Sequence, residues 1–245
     1  MEGVAHGDIP AGNGVWRIAL KSRETVEARW LIDATGRGAS LARRLGVRKV
    51  RDEGLIALWR FGLPRSGERC NRTLIEAVPE GSWYGAVLPD DRAVLSLHVR
   101  PDDAHLAGSL WLDILRRTRF LREFFPAEGF VESTRTVDAG GGRLAALYGD
   151  AWIACGDAAI SFDPLSSQGI YTAMYSGMMA ARAIAGSVRG DALALANYAA
   201  WLDEIRRVYR DRLADSYAMV ERWPESRFWV ERLAGVHGDR PAEDP

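Results

Sequence analysis

The stretch that most constrains the fold runs from residue 151 to residue 185, AWIACGDAAISFDPLSSQGIYTAMYSGMMAARAIA. It begins with a short apolar run, Ala151 to Cys155, which is typical of a strand covered on both faces. Gly156 and Asp157 end that run, and a polar segment around Pro164 leads into a helix. Apolar positions then recur on one helical face: Ile170, Met174, Gly177, Met178, Ala181 and Ile184.

The end of this strand has the properties of a ligand-binding turn. A strand that ends in Gly-Asp and leads into a helix N-terminus is where α/β proteins place ligands, because the free N–H groups of the first helical turn attract electron-rich groups. Asp157 can accept hydrogen bonds from ligand hydroxyls, and Gly156 and Gly169 let the backbone approach a ligand closely. The alternative is structural, with Asp157 capping a turn and the glycines serving chain reversal. The residues alone leave the two interpretations evenly matched.

The same residues resemble a known motif. Gly156-Asp157-Ala158-Ala159, then Asp163-Pro164, then Ser167-Gln168-Gly169-Ile170, is similar to the second FAD-binding motif of flavoprotein monooxygenases and flavin-dependent halogenases. In that family the Asp binds the flavin ribityl chain, and the following helix points its N-terminus at the isoalloxazine ring. Residues 162–170 most resemble the halogenase-like branch, which includes flavoproteins that help mature quinone-cofactor amine oxidases. The resemblance implies FAD as cofactor and these contacts: Gly156, Asp157, Ala158, Pro164, Ser167, Gln168, Gly169 and Ile170.

A second strand followed by glycines lies upstream. Residues 26–34 are predicted to form a strand that ends in Asp33-Ala34-Thr35-Gly36-Arg37-Gly38. Ser40 is expected to cap a short helix that runs through Leu45. The residues alone favour an ordinary strand-to-helix loop. In the resemblance, residues 31–37 correspond to the segment that closes the middle strand of the cofactor domain against the FAD pyrophosphate and adenosine, which adds as cofactor contacts Asp33, Thr35, Gly36 and Arg37.

The periodicity changes between the two motifs. Residues 15–20, 55–61, 73–78, 82–88, 92–99 and 131–137 are predicted strands, and residues 106–125 a helix. Pro89-Asp90-Asp91 is a turn, so residues 82–99 should form a hairpin in an antiparallel sheet. Gly140-Gly141-Gly142 favours a domain crossover over a phosphate loop, because no Lys-Ser/Thr pair follows it. After Gly190 a helix is predicted to about Trp223, with an apolar stripe that packs on the body of the chain.

The predicted fold class is α/β (α+β overall), a partial FAD-binding Rossmann-like domain with an inserted antiparallel-sheet substrate domain and a C-terminal helical region. Residues 1–14 are expected to be loop. The resemblance implies that the inserted sheet covers the flavin. The expected boundaries are 1–50 for the remainder of the FAD-binding domain, 51–140 for the substrate domain, 141–188 for the return of the FAD-binding domain, 189–237 for the helical region and 238–245 for a disordered tail.

The composition bears on the binding partners and on the cellular location of the protein. The net charge of −1 gives no global attraction to nucleic acid or to an anionic membrane. Cys70 and Cys155 are too few for a disulfide framework, which favours reduced thiols and a cytoplasmic location. The four histidines show no metal-ligand spacing, so no metal site is expected. No run is long enough for a membrane span, and no signal peptide is expected.

One part of the family pattern is missing from this sequence. The family begins with a strand, a G-x-G-x-x-G turn and a helix that hold the FAD diphosphate. Gly12-Asn13-Gly14 lies before a strand rather than after one, and no other segment fits. The resemblance therefore corresponds to the later portion of the family's length. We expect a chain truncated at its N-terminus to bind FAD weakly or not at all alone, and a partner chain could supply the nucleotide-binding half.

These observations favour an FAD-dependent oxidoreductase of the monooxygenase type, acting on an organic or peptidyl substrate with a flavin or nicotinamide reductant. Halogenation is the alternative within the family, whose W-x-W-x-I-P segment has its nearest match at residues 83–89, where the second Trp is absent. A non-catalytic fragment that depends on another chain is an alternative of a different class. A further alternative is the saturation of lipid double bonds, as in geranylgeranyl-reductase-like flavoproteins, because those enzymes share the Gly-Asp motif. No catalytic residue is assigned.

Overall fold

The computed structural model describes residues 6–11, 14–20, 22–52, 54–65 and 72–237. Its strands are β1 (His6–Ala11), β2 (Val15–Ala19), β3 (Thr25–Ala28), β4 (Leu31–Asp33), β5 (Lys49–Arg51), β6 (Ile56–Gly62), β7 (Leu74–Val78), β8 (Gly81–Val87), β9 (Ala93–Val99), β10 (Arg135–Asp138), β11 (Gly142–Leu144), β12 (Tyr148–Gly149), β13 (Trp152–Ala154) and β14 (Ile160–Ser161). Its α-helices are α1 (Ser40–Arg44), α2 (Ser109–Arg117), α3 (Leu121–Phe124), α4 (Gly169–Val188), α5 (Ala194–Ala218) and α6 (Arg227–His237).

The chain divides into two compact units, each built from two separate stretches. The first unit contains the described residues of 1–51 and 141–209, and the second contains those of 52–140 and 210–245. The mixed α/β composition and the strands of both kinds, parallel and antiparallel, confirm the predicted fold class. The described part of the chain contains no helix with the length and apolarity that a membrane crossing requires.

The first unit is built on a short parallel strand pair. β13 lies between β12 and β4, parallel to β4, with Trp152 opposite Leu31 and Ala154 opposite Asp33. All three residues of β13 are buried, which confirms the prediction of a strand covered on both faces. A second three-stranded sheet has the order β14-β11-β5. The pair β13-β4 is the element that aligns the two sequence motifs.

Two predictions for the first unit are wrong in detail. Residues 6–11, expected to be loop, form β1, which pairs antiparallel with β2. Residues 6–11 have no strand pattern in their own sequence. They form a strand because pairing with β2 satisfies their backbone hydrogen-bonding groups. The strand predicted over residues 26–34 is two strands, with β3 in the β1-β2-β3 sheet and β4 beside β13. The expectation of a disordered tail falls on residues 238–245, which lie outside the described residues.

The buried face of helix α4 is not the apolar face that the sequence pattern indicated. Its large apolar side chains are exposed, with exposed fractions of 81% for Ile170 and 74% for Met174. The buried positions are small instead: Thr172, Ser176, Ala180, Ala183 and Gly186. A helix with small side chains on its inner face can approach neighbouring backbone closely, which larger residues would prevent. The helix was predicted correctly, but its apolar stripe does not face the core.

Helix α5 follows its predicted pattern more closely. In the first unit Tyr198, Leu202 and Tyr209 are buried. In the second unit Leu213 and Tyr217 continue the buried stripe. The prediction that this stripe packs on the body of the chain is confirmed. The helix ends at Ala218, a few residues before the predicted end near Trp223.

The second unit is an antiparallel sheet with helices packed against it. The strand order is β10-β6-β9-β8-β7, and β8 and β9 form the predicted hairpin. Its core is rich in aromatic rings, including Trp83 and Trp111 at 4.7 Å between centroids. The helix predicted over residues 106–125 is broken into α2 and α3, because the Glu76 carboxylate accepts hydrogen bonds from the backbone N–H groups of residues 119, 120 and 121. That capping arrangement starts a new helix where the sequence suggested a continuous one.

Candidate functional site

The two sequence motifs lie side by side in the first unit. Strands β4 and β13 run parallel as neighbours, and the Cys155 N–H donates to the Asp33 carbonyl at 2.9 Å. The turns that follow these strands therefore leave the sheet at the same edge. The carboxyl edge of a parallel sheet is where ligands bind in α/β folds. Residues 34–38 and 156–158 are thus brought together, as a shared site requires.

Asp33 is committed to the protein's own backbone. Its side chain is fully buried, and Oδ1 accepts from the Thr35 N–H at 3.0 Å and from the Thr35 hydroxyl at 2.6 Å. Oδ2 accepts from the Ala42 N–H at 2.8 Å, inside the first turn of α1. The cap expected from Ser40 is wrong, because Ala39 occupies the cap position and Asp33 supplies the acceptor from a distance. Asp33 shapes the turn rather than presenting its carboxylate outward.

Arg37 joins the two motifs directly. Its Nη2 donates to the Phe162 carbonyl at 2.7 Å, and its Nε lies 3.5 Å from Oδ2 of Asp157. The Lys49 ammonium donates to the Arg37 carbonyl at 2.5 Å, which fixes the backbone of the same turn. The Arg37 and Asp157 side chains are partly exposed, at 26% and 32%. Asp157 is therefore oriented by a cation while part of its carboxylate still faces solvent.

The backbone at Gly156 requires glycine. Its φ is +59°, and a Cβ added there would lie 3.3 Å from the Cβ of Ala173 on α4. Its N–H donates to the Ser176 hydroxyl at 2.8 Å. Ala158 is buried, so within residues 156–158 only Asp157 offers a partly exposed side chain. The turn is thus packed tightly against α4 on one side and open at Asp157 on the other.

The segment before α4 is held by internal hydrogen bonds. Asp163 Oδ1 accepts from the Leu165 N–H at 2.8 Å, and the Asp163 N–H donates to the Tyr209 hydroxyl at 2.8 Å. Ser167 has a φ of +52°, an uncommon conformation for a residue with a Cβ. Pro164 begins the short 3₁₀ turn that precedes it. These contacts fix the direction in which α4 starts.

The N-terminus of α4 has no side-chain cap. Gln168 occupies the cap position without a side-chain hydrogen bond to the helix. A Cβ added at Gly169 would meet nothing within 4 Å, and Ile170 is 81% exposed. The first turn of a 20-residue helix therefore presents backbone N–H groups to open space. The same openness holds at Gly36, where an added Cβ would also meet nothing within 4 Å.

Sequence reasoning missed residues that build this site from behind. Ser176 and Tyr209 hold the backbone of the Gly-Asp turn and of the segment before α4 through side-chain oxygens. Tyr198 donates its hydroxyl to the Ala154 carbonyl at 2.7 Å, at the end of β13. All three lie on buried helix positions, where a polar side chain signals a hydrogen-bonded role. Within the described residues there is no cluster of side chains suited to a metal ion.

Cys155 lies directly behind the Gly-Asp turn and is buried. Burial raises the pKa of its thiol, and the nearby Asp33 carboxylate raises that pKa further. Burial likewise raises the pKa of Tyr198, with the neighbouring Cys155 adding to the effect. Both groups therefore stay protonated at neutral pH. This thiol belongs to the packing of the strand end and has the properties of an inert cysteine.

A Cys70→Ser variant, in which Cys155 is the remaining thiol, should resist a disulfide reagent while folded. We expect the reaction at pH 8 to be about a hundredfold slower than in urea, because the thiolate is disfavoured and the sulfur is buried. The free energy of unfolding should also fall above about pH 9, since the unfolded thiol releases its proton before the folded one does. Fast labelling of the folded variant would contradict this placement of Cys155.

Comparison with known proteins agrees with the sequence motifs. LodB of Marinomonas mediterranea, named as an FAD-dependent oxidoreductase, is 28% identical over 235 residues, which cover 92% of this chain and 63% of LodB. The flavin-dependent halogenase CmlS matches with a TM-score of 0.80 at 26% identity, over 92% of this chain and 44% of CmlS. QhpG, a peptidyl tryptophan dihydroxylase essential for tryptophylquinone cofactor biogenesis, matches with a TM-score of 0.80 at 20% identity, over 100% of this chain and 56% of QhpG. No family model matches the chain.

The chain spans less than two thirds of the length of each of these three proteins. At 20% identity the likeness to QhpG concerns the fold alone. LodB is named as FAD-dependent and CmlS as flavin-dependent, so the predicted resemblance to these flavoproteins is confirmed. The chain is similar in sequence to LodB and CmlS, and it has the fold of CmlS and QhpG.

Proposed function

We propose that this chain holds the flavin end of FAD in an oxidoreductase of the monooxygenase type. The observation that carries the proposal is the convergence of two turns, 34–38 and 156–158, of which the second packs on α4 at Ala173 and Ser176. Asp157 is the one partly exposed carboxylate of the Gly-Asp turn, and Arg37 orients it. Such a carboxylate suits the hydroxyls of a ribityl chain.

The donor set and the space around it fit a flavin. The first-turn N–H groups of α4 can donate to electron-rich atoms of a ring, and Gly169 leaves room for the ring to approach the backbone. Gly36 leaves similar room for a phosphate group near the Thr35 and Arg37 turn. Ala158, Pro164, Ser167, Gln168 and Ile170 remain proposed contacts. Asp33 would act through the turn it shapes, because its oxygens are already occupied by Thr35 and Ala42.

When bound, FAD supplies the redox chemistry, and the protein supplies binding, orientation and exclusion of water. We propose an organic or peptidyl substrate, with reducing equivalents from a flavin or a nicotinamide. The support for a peptidyl substrate is that QhpG, which shares the fold, is a peptidyl tryptophan dihydroxylase. The sheet of the second unit is the proposed substrate domain. Halogenation is the second candidate, supported by the 26% identity to CmlS.

The segment that resembles the halogenase motif argues for ranking halogenation second. Trp83, its first aromatic residue, is fully buried and packs edge-on against Trp111 in the core of the second unit. Pro89 begins the turn between β8 and β9. The segment has a packing role in this chain. We assign no catalytic acid or base to either reaction.

We also propose that a dinucleotide-binding half, in the same polypeptide or in a partner chain, completes the FAD site. Its G-x-G-x-x-G turn does not occur in the 245 residues. β4 lies at the edge of its three-stranded sheet, and Ile32 on that strand is 46% exposed. Parallel strands are normally covered on both faces and paired on both sides. This edge is where the missing half would add strands.

Titration of the 245-residue polypeptide with FAD, FMN and riboflavin tests both proposals. If the chain provides the flavin end of the site, all three ligands should bind with Kd values on the order of 0.1 mM and within about threefold of one another. The Asp157→Ala variant should bind each of the three ligands about tenfold more weakly, because the hydrogen bonds to the ribityl hydroxyls are lost. Flavin fluorescence reports the binding.

Two glycines on α4 provide a matched pair for the same titration. An added Cβ meets nothing within 4 Å at either Gly169 or Gly177. Alanine at either position should leave the fold intact or stabilise it by about 0.5 kcal/mol. Only Gly169→Ala should weaken the binding of riboflavin, because only Gly169 lies at the helix N-terminus. Equal effects of the two variants would overturn the proposed flavin position, whereas nanomolar FAD binding would overturn only the need for a further nucleotide-binding half.

A further inference from the structure

The segment 222–229 lies outside the candidate flavin site and is tied to the sheet of the second unit by hydrogen bonds. In the second unit, the Trp229 indole N–H donates to the Val78 carbonyl at 2.8 Å, and the Ser226 hydroxyl donates to the Pro79 carbonyl at 2.5 Å. Arg222 reaches the Ala77 carbonyl at 3.4 Å. β7 is the edge strand of its sheet, so this segment covers carbonyl groups at the end of that strand. The segment is therefore held firmly on the second unit.

A cavity of about 240 Å³ lies between this segment and the end of α2. Three arginines line it: Arg117 at the end of α2, Arg119 two residues later and Arg222. Trp223 forms an aromatic wall, and Val78 and Ile114 contribute buried apolar surface. The cavity is smaller than the 300–1,000 Å³ of typical cofactor pockets, so it suits one side chain rather than a nucleotide.

The charges of the cavity are only partly compensated. Arg117 pairs with Oε1 of Glu80 at 2.7 Å, and Glu76 is occupied by three backbone N–H groups. Arg222 stacks on Trp223 at 4.4 Å and Arg119 on Phe120 at 5.0 Å. Among the residues that the structure describes, neither Arg119 nor Arg222 has a carboxylate partner, and Arg222 donates one hydrogen bond to the Ala77 carbonyl, so both guanidinium groups lack an ion pair.

The lining of the cavity carries a small net charge. Oε2 of Glu80 is buried and has no hydrogen-bond partner among the described residues, and because it is closed to solvent it is not a contact for a ligand. Together the three arginines and two glutamates of the lining leave one net positive charge. That balance matches one carboxylate and not a doubly charged phosphate.

We propose that this cavity binds an acidic side chain, Asp or Glu, presented by a peptide segment of another protein. The carboxylate would accept hydrogen bonds from Arg119 and Arg222, whose planar guanidinium groups suit a carboxylate. Trp223 would pack against the aliphatic part of the acidic side chain. The proposal concerns the second unit and is independent of flavin binding.

The test compares two acetylated and amidated pentapeptides, Gly-Ala-Glu-Ala-Gly and Gly-Ala-Gln-Ala-Gly, added to the full chain. Binding is followed by NMR through the indole N–H signal of Trp223, identified with a Trp223→Phe variant. We expect the Glu peptide to bind about tenfold tighter than the Gln peptide at low salt. Arg222→Gln and Arg119→Gln should each weaken the Glu peptide about threefold to tenfold. Similar binding of both peptides would overturn the proposal.

Arg135→Gln is the matched control, because Arg135 also stacks on an indole, that of Trp59 at 5.0 Å, but lies outside the cavity. It should leave peptide binding unchanged, and an equal loss there would overturn the proposed contact with Arg119 and Arg222. Acetate and inorganic phosphate are titrated in parallel. Weaker binding of both than of the Glu peptide supports the peptide assignment, and tighter binding of either overturns it. The double variant Arg119→Glu with Arg222→Glu should prefer a Lys peptide.

Discussion

Replacement of Asp33 with alanine should lower the free energy of unfolding by about 3 kcal/mol. The Asp33 carboxylate is fully buried and accepts hydrogen bonds from two backbone N–H groups, those of Thr35 and Ala42, and from the Thr35 hydroxyl. Alanine would leave these donors buried or poorly paired, and it would remove the cap of α1. Each lost cap or buried acceptor costs about 1–2 kcal/mol.

Urea unfolding followed by circular dichroism measures this effect. Asp150→Ala is the control, because Asp150 is an exposed aspartate in the same unit and should change stability by less than about 0.5 kcal/mol. Asp33→Asn should be intermediate, at about 2 kcal/mol, since an amide retains one acceptor but points N–H groups at another donor. If Asp33→Ala were as stable as Asp150→Ala, the capping arrangement described for α1 would be wrong.

The role of Asp33 shows what the sequence could and could not reveal. The order of apolar and glycine residues correctly indicated a strand, a tight turn and a short helix in this region. An aspartate at the end of a strand looks the same whether it faces a ligand or its own backbone. The contact that decides the matter joins Asp33 to Ala42, nine residues away, and depends on how the turn closes. The cap expected at Ser40 failed for the same reason.

Elements specified by local signals were predicted well. The hairpin of β8 and β9 has alternating residues and a Pro-Asp-Asp turn, which act over a few residues. The stripe on α5 repeats every three to four residues and buries Tyr198, Leu202 and Leu213 as expected. Both predictions needed no knowledge of distant neighbours. They hold because short-range chemistry and tertiary packing favour the same structure.

Helix α4 shows where local reasoning fails. Large apolar residues normally identify the buried face, but Ile170, Met174 and Met178 are exposed here. The inner face must approach the backbone of the Gly156 turn so closely that Ala173 would lie 3.3 Å from an added Cβ. Only small residues permit that distance, so Ser176 and Ala180 face inward.

The strongest effect of a single substitution in the site should occur at Gly156. Gly156→Val should cost about 3 kcal/mol or more, because its φ of +59° disfavours a β-branched residue and its side chain would enter the space of Ala173. Gly156→Ala should cost about 2 kcal/mol, half from the backbone and half from the contact. Gly36→Ala is the control, since Gly36 has a similar φ of +72° but nothing lies within 4 Å of its added Cβ.

The difference between the two alanine variants isolates the packing of the Gly-Asp turn on α4. Gly36→Ala should cost only the backbone part, about 1 kcal/mol. In a double-mutant cycle, Ala173→Gly alone should destabilise α4 by about 1 kcal/mol, but in the Gly156→Ala background the relieved contact should offset that cost, which gives a coupling of about 1 kcal/mol. Urea unfolding of the variants supplies the free energies. Equal costs for Gly156→Ala and Gly36→Ala, with no coupling to Ala173, would show that α4 does not press on this turn. In that case the close packing of Gly156 on Ala173 would be wrong, and the flavin position proposed from it would have to be abandoned.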